Sequence, residues 1–93
     1  MPPPANWTVE VLPTASRALR QLPRRLRDEI LDAMEAMQED PFLLAQPLRG
    51  RNDYYRIRFG VHRMIFHVSL EKRSVLITRI AHRSGAYEGH TPL

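Results

Sequence analysis

The sequence predicts an α+β fold: a small antiparallel sheet, element order β-α-α-β-β-β, with two N-terminal helices packed on one face. Three observations carry this. Residues 23–39 place Leu26, Ile30, Ala33, Met34 and Met37 on one helical stripe, with charges opposite. Residues 54–83 read as three consecutive strands rich in aromatic and β-branched side chains. Between the first two, Gly60-Val61 suits a two-residue type II′ turn, whose first position needs φ > 0.

Taken in order, residues 1–5 hold three consecutive prolines and read as a flexible arm. Residues 7–12 (WTVEVL) alternate, with Trp7, Val9 and Val11 on one side of a first strand. Pro13 ends it, and Thr14 is a plausible N-cap for a helix over 15–22 with Leu19 and Leu22 inward. Pro23 breaks that helix and suits the first turn of the next. Pro41 stops the second helix, and residues 42–47 form an apolar connector. Leu48-Arg49-Gly50 and the three residues after it lead into strands over 54–59, 62–68 and 74–81. The tail, 84–93, has two glycines and a proline and reads as irregular. The whole chain, 1–93, is one domain.

The turn sets a register. Phe59 faces His62, Arg58 faces Arg63, Ile57 faces Met64, Arg56 faces Ile65 and Tyr55 faces Phe66. One sheet face then carries Tyr55, Ile57, Phe59, His62, Met64, Phe66 and Val68, a core face. The other carries Tyr54, Arg56, Arg58, Arg63, Ile65 and His67. Three guanidiniums so close repel one another unless something anionic is near. That face reads as a site for an anionic ligand, against the plainer reading of solvated strand arginines. In the last strand, Val75, Ile77, Arg79, Ala81 and Arg83 share one parity; Leu76, Thr78, Ile80 and His82 share the other.

Charge divides along the chain. Residues 1–47 hold five Arg against seven acidic residues; residues 48–93 hold nine Lys+Arg against three. Concentrated basic charge is the footprint of a nucleic-acid binder. There is no cysteine, so disulfides and thiolate metal sites are excluded. His62 and His67 point to opposite faces, and His82 and His90 lack a carboxylate at ligand spacing, so no metal site is expected. No glycine-rich phosphate loop is present, and no cofactor is implied. No apolar run reaches membrane-span length, and the expected location is the cytoplasm. Arginine forks suit phosphate oxygens, and Tyr54 or Tyr87 offers a stacking surface for a base.

With these residues in hand, the chain resembles the RelE/ParE superfamily of toxins from type II toxin–antitoxin pairs. The resemblance rests on Leu48-Arg49-Gly50, on residues 55–68 (YRIRFGVHRMIFHV), and on residues 80–83 (IAHR) followed by Tyr87. It spans roughly residues 7–88 and is nearer the RelE branch. It implies a ribosome-dependent endoribonuclease that cuts mRNA by 2′-OH attack without metal, held by a cognate antitoxin in a hetero-oligomer. ParE-like members instead inhibit DNA gyrase without being enzymes, and an inert RNA- or antitoxin-binding relic is a further alternative.

Carried over by position, Arg56, Arg58, Arg63, Arg83 and Tyr87 fall at the branch's catalytic positions, with a shorter spacing between the last two. Where this chain has Arg56 and Arg58 the best-known member has lysines, and arginine keeps its proton too firmly to act as a base. For the base, His82, which adjoins Arg83, is weighed with His67 on the arginine face and with an electrostatic mechanism that uses none. Tyr54 and His67, with Arg56 and Arg58, are the expected substrate contacts.

Overall fold

A computed structural model describes residues 6–86. The expected arm over 1–5, most of the tail, Tyr87 and His90 lie outside the described residues. The elements are β1 (Thr8–Val11), α1 (Pro13–Arg20), α2 (Arg24–Met37), β2 (Gln46–Pro47), β3 (Tyr54–Phe59), β4 (His62–Ser69), β5 (Ser74–His82) and α3 (Arg83–Ala86). They build the expected α+β fold, with one sheet in the order β1-β5-β4-β3-β2.

The sheet is antiparallel except at one edge, where β1 pairs parallel to β5, Thr8 with Ser74 through Val11 with Ile77. Parallel neighbours need a crossover connection, and here the helices, β2 and the hairpin all lie between the two strands. Strand β2, which the sequence does not announce, pairs Gln46 with Arg56 and Pro47 with Tyr55. A proline is tolerated there because the strand is at the edge.

Thr14 is not the N-cap of α1. The helix starts at Pro13, with Leu12 in the cap position and no side-chain cap bond. Proline's fixed φ and missing N–H suit the first helical position, so Pro13 opens the helix as well as ending β1. A short helix, α3, also occupies the start of the segment expected to be irregular.

The core lies between the helices and one sheet face. Ala15 and Leu19 of α1 and Ile30, Ala33 and Met37 of α2 pack with Ile57, Phe59, Met64, Phe66, Val68, Val75, Ile77 and Ile80. Trp7 joins them, and Leu22, Leu26 and Met34 pack against the cluster half-buried. Both helical stripes and the predicted inner face of the hairpin are therefore observed.

The hairpin register is the one the turn dictates, from Phe59↔His62 to Tyr55↔Phe66. Gly60 has φ +61 and Val61 has no positive φ, as a type II′ turn requires. Strand β5 departs from simple alternation. Ile65 pairs with Arg79 but the next residue, Phe66, pairs with Ile77, which leaves Thr78 as a β-bulge. The Thr78 hydroxyl donates to the Ile65 carbonyl at 3.3 Å across the bulge. One extra residue inverts the parity beyond it. Val75, Ile77 and then Ile80 face the core, while Arg79 and Ala81 turn to the opposite face.

Candidate functional site

The face of the sheet away from the helices is a grid of cross-strand rows. Nearest the Gly60-Val61 turn lie Arg58, Arg63 and Ala81. The next row is Gln46, Arg56, Ile65 and Arg79. Beyond it lie Tyr54, His67, Leu76 and, on the parallel edge strand, Glu10. Strands β3, β4 and β5 contain no acidic residue. Arg58 and Arg63, directly opposed, form a like-charge pair of the kind that destabilises a sheet by a few tenths to about 1 kcal/mol when it has no anionic ligand.

Arg63 is held in place. Its Nη1 donates to the carbonyl oxygens of Gly60 and His62, each at 3.1 Å. These bonds aim the guanidinium toward the turn end of the sheet. Arg83 arrives there too, because its backbone N–H donates to the Val61 carbonyl. Its side chain is exposed, as is that of Arg58. Arg56 donates from Nε to Gln46 Oε1 at 3.3 Å, so the short strand β2 steadies it from the side. The predicted arginines of β3 and β4 thus share one face, and Arg83 starts α3 at its turn end.

The aromatic side of the face is composite. The Arg51 guanidinium carbon sits 4.3 Å from the Tyr54 ring centroid. The His67 ring lies tilted at 5.0 Å on the neighbouring strand. A base stacking here meets Arg51, Tyr54 and His67 together rather than a bare tyrosine. The stacking surface expected of Tyr87 lies outside the described residues.

The two candidate bases are separated. His67 shares the arginine face, two rows from Arg63. His82 lies across from His62, on the parity of Ile80 and Met64, with the two rings 5.6 Å apart and nearly perpendicular. Its Nδ1 accepts the backbone N–H of Ser84 at 3.2 Å and lies 2.9 Å from the Ser84 hydroxyl. An accepting Nδ1 puts the proton of the neutral ring on Nε2, so His82 presents a donor outward. Among the described residues no three of His, Asp and Glu gather as a metal-ligand group.

Two features escape sequence reading. Arg79 is assigned by alternation to the side of Val75 and Ile77, and the bulge reverses it; the only local signal is the spacing of Val75, Ile77 and Ile80. The second is an open cleft of about 460 Å³ between α2 and β3, lined by Ala33, Ala36, Leu44, Ile57 and Phe59 with Glu29 and Asp32 at its rim. It depends on how the connector after α2 folds, which has no periodic signature.

Comparison with known proteins places this arrangement. The chain is 29% identical over 83 residues to toxin RelG of Mycobacterium tuberculosis, covering 87% of this chain and 95% of RelG. It superposes on the M. tuberculosis toxin–antitoxin complex RelBE2 with TM-score 0.72 and 28% identity, covering 84% of this chain and 99% of the matched one. It shares its fold with a chain of the archaeal RelE–RelB complex from Pyrococcus horikoshii, with TM-score 0.76 and 23% identity over 87% of this chain and 99% of that one. Residues 9–87 match the family model described as the ParE toxin of type II toxin–antitoxin systems. By that match the chain belongs to the ParE toxin family of type II toxin–antitoxin systems.

Proposed function

We propose that this toxin is an endoribonuclease that cuts mRNA on the ribosome in the cytoplasm and is silenced by a cognate antitoxin. The observation that carries the reading is the face on which Arg56, Arg58 and Arg63 gather on strands that hold no acidic residue, with Arg83 at its turn end. The likeness to RelG and to the toxin of RelBE2 supports it.

The reaction is an internal transesterification. The ribose 2′-oxygen bonds to the adjacent phosphorus as the bond from phosphorus to the 5′-oxygen breaks. The 2′-hydroxyl proton passes to a base, and the departing 5′-oxygen takes up a proton. The products are a 2′,3′-cyclic phosphate and a 5′-hydroxyl. Negative charge builds on the phosphate oxygens on the way, and pre-aimed cationic donors stabilise that charge more than they stabilise the ground state. Arg63, already tied to the turn, and Arg83 are the donors assigned to this task. Arg56 and Arg58 hold the strand, and Tyr54 with His67 supports a base beside it. Tyr87 is assigned a stacking or proton-donating role. His82 presents Nε2–H as a hydrogen-bond donor and delivers a proton to the departing 5′-oxygen only from its imidazolium form, while His67, on the arginine face, is taken as the candidate base.

The antitoxin is expected to cover the same arginines with acidic or amphipathic segments, since neutralising this face removes its repulsion and blocks substrate together. A gyrase-directed toxin is the second reading, favoured by the ParE description of the matching family. Inducing the toxin alone and following total RNA and plasmid topology separates the readings. Ribosome-dependent mRNA cuts support the nuclease; DNA breaks with intact mRNA replace it by the gyrase reading; the absence of both points to an inert relic.

A further inference from the structure

The bulge at Thr78 has two effects: it turns Ile80 into the core opposite Met64, and it puts a cation on the open face. With simple alternation Arg79 would follow Val75 and Ile77 inward, where a guanidinium would need a buried partner. With the bulge, Ile80 takes the inward place opposite Met64, and Arg79 lies opposite Ile65 in the row of Arg56. Bulges recur beside functional sites because they re-aim one side chain without moving the rest of the strand.

We infer that Arg79, placed by the Thr78 bulge, binds a phosphate of the RNA next to the scissile one; this rests on the nuclease reading above. Arg56 and Arg79 flank Ile65, which is only 1% exposed and lies outside the core cluster. Their Cα atoms are two strand spacings apart, roughly 10 Å. The two half-buried arginines therefore flank a covered isoleucine. The row of Arg58 and Arg63 lies two residues along the strands, roughly 7 Å nearer the turn. One phosphate in that row and another over Ile65 follow consecutive linkages of a strand laid across the sheet. Phosphate contacts of this kind hold the strand without reading sequence, so Arg79 adds to how tightly the RNA is held. It belongs to binding, whereas Arg63 and Arg83 belong to the charge that develops during reaction.

The test uses the full chain and ribosomes programmed with a short mRNA, measuring affinity against salt and single-turnover cleavage at saturation. Arg79→Ala is expected to weaken half-saturation roughly tenfold, as for a lost charge-assisted contact. It should reduce the slope of log affinity against log salt by about 0.7. Cleavage at saturation should stay within about twofold, the pattern of lost uniform binding. Arg79→Lys should restore the slope. The double exchange Thr78→Arg with Arg79→Thr keeps the net charge but moves the arginine into the bulge position, and its slope should match Arg79→Ala. A wild-type slope in Arg79→Ala, or in the double exchange, overturns the inference while leaving the nuclease reading intact. A reduced melting temperature with an unchanged slope returns Arg79 to covering Ile65, and overturns it as well. Should the wild-type protein neither bind nor cut on these ribosomes, both the nuclease reading and the inference fall.

Discussion

The Arg63 guanidinium is bound to the carbonyl of Gly60, the residue whose left-handed backbone makes the hairpin turn. The turn that sets the sheet register therefore also orients a cation of the site. Two neutral carbonyl acceptors, at Gly60 and His62, hold the fork without cancelling its charge. Arg63→Lys keeps the charge but loses the planar fork. We expect single-turnover cleavage to fall by roughly 10–100-fold, about 1.4–3 kcal/mol in the barrier. The melting temperature should move little, since Arg63 is outside the core cluster. An unchanged rate would remove Arg63 from the chemistry.

Gly60 itself supplies a stability prediction. A Cβ added there meets nothing within 4 Å, so a substitution costs backbone strain alone at φ +61. Gly60→Ala should destabilise by about 1 kcal/mol. That corresponds to a melting temperature lower by roughly 4–8 °C in a domain of this size. Thermal unfolding followed by circular dichroism checks it, and no shift would mean that the turn relaxes to another type.

Arg83 leads into α3 from the end of β5, with an exposed side chain. Arg83→Ala should lower the cleavage rate far more than ribosome affinity, because its charge counts most when the phosphate gains negative charge. Rate and half-saturation measured on the same programmed ribosomes separate the two. Full-speed cleavage by the variant would show the assigned site to be wrong.

The two histidines give opposite expectations. His67 is on the arginine face, and His82 is committed through Nδ1 to Ser84. If His67 is the base, His67→Gln should lose roughly 10²–10⁴-fold in single-turnover rate, the usual range for general catalysis. Ser84→Ala removes the hydroxyl contact to His82 Nδ1, leaving the backbone N–H bond, and should alter the rate only if His82 delivers the leaving-group proton. Wild-type rates in His67→Gln and His82→Gln together leave an electrostatic mechanism without a side-chain base.

Much of this was legible along the chain because it is local. Alternation plus Gly60-Val61 determines which residues of β3 and β4 oppose each other, so Arg56, Arg58 and Arg63 share a face by sequence alone. The α2 stripe of Ile30, Ala33 and Met37 is equally local, since helical spacing depends only on neighbouring residues. Tertiary structure decided what alternation cannot express. The parallel pairing of β1 with β5 joins residues more than sixty positions apart, and no local pattern selects it over an isolated edge. The extra residue at Thr78 is tolerated because Ile80, rather than Arg79, completes the core against Met64. Burial of one isoleucine in place of one guanidinium reverses the strand parity, and with it the face on which Arg79 lies.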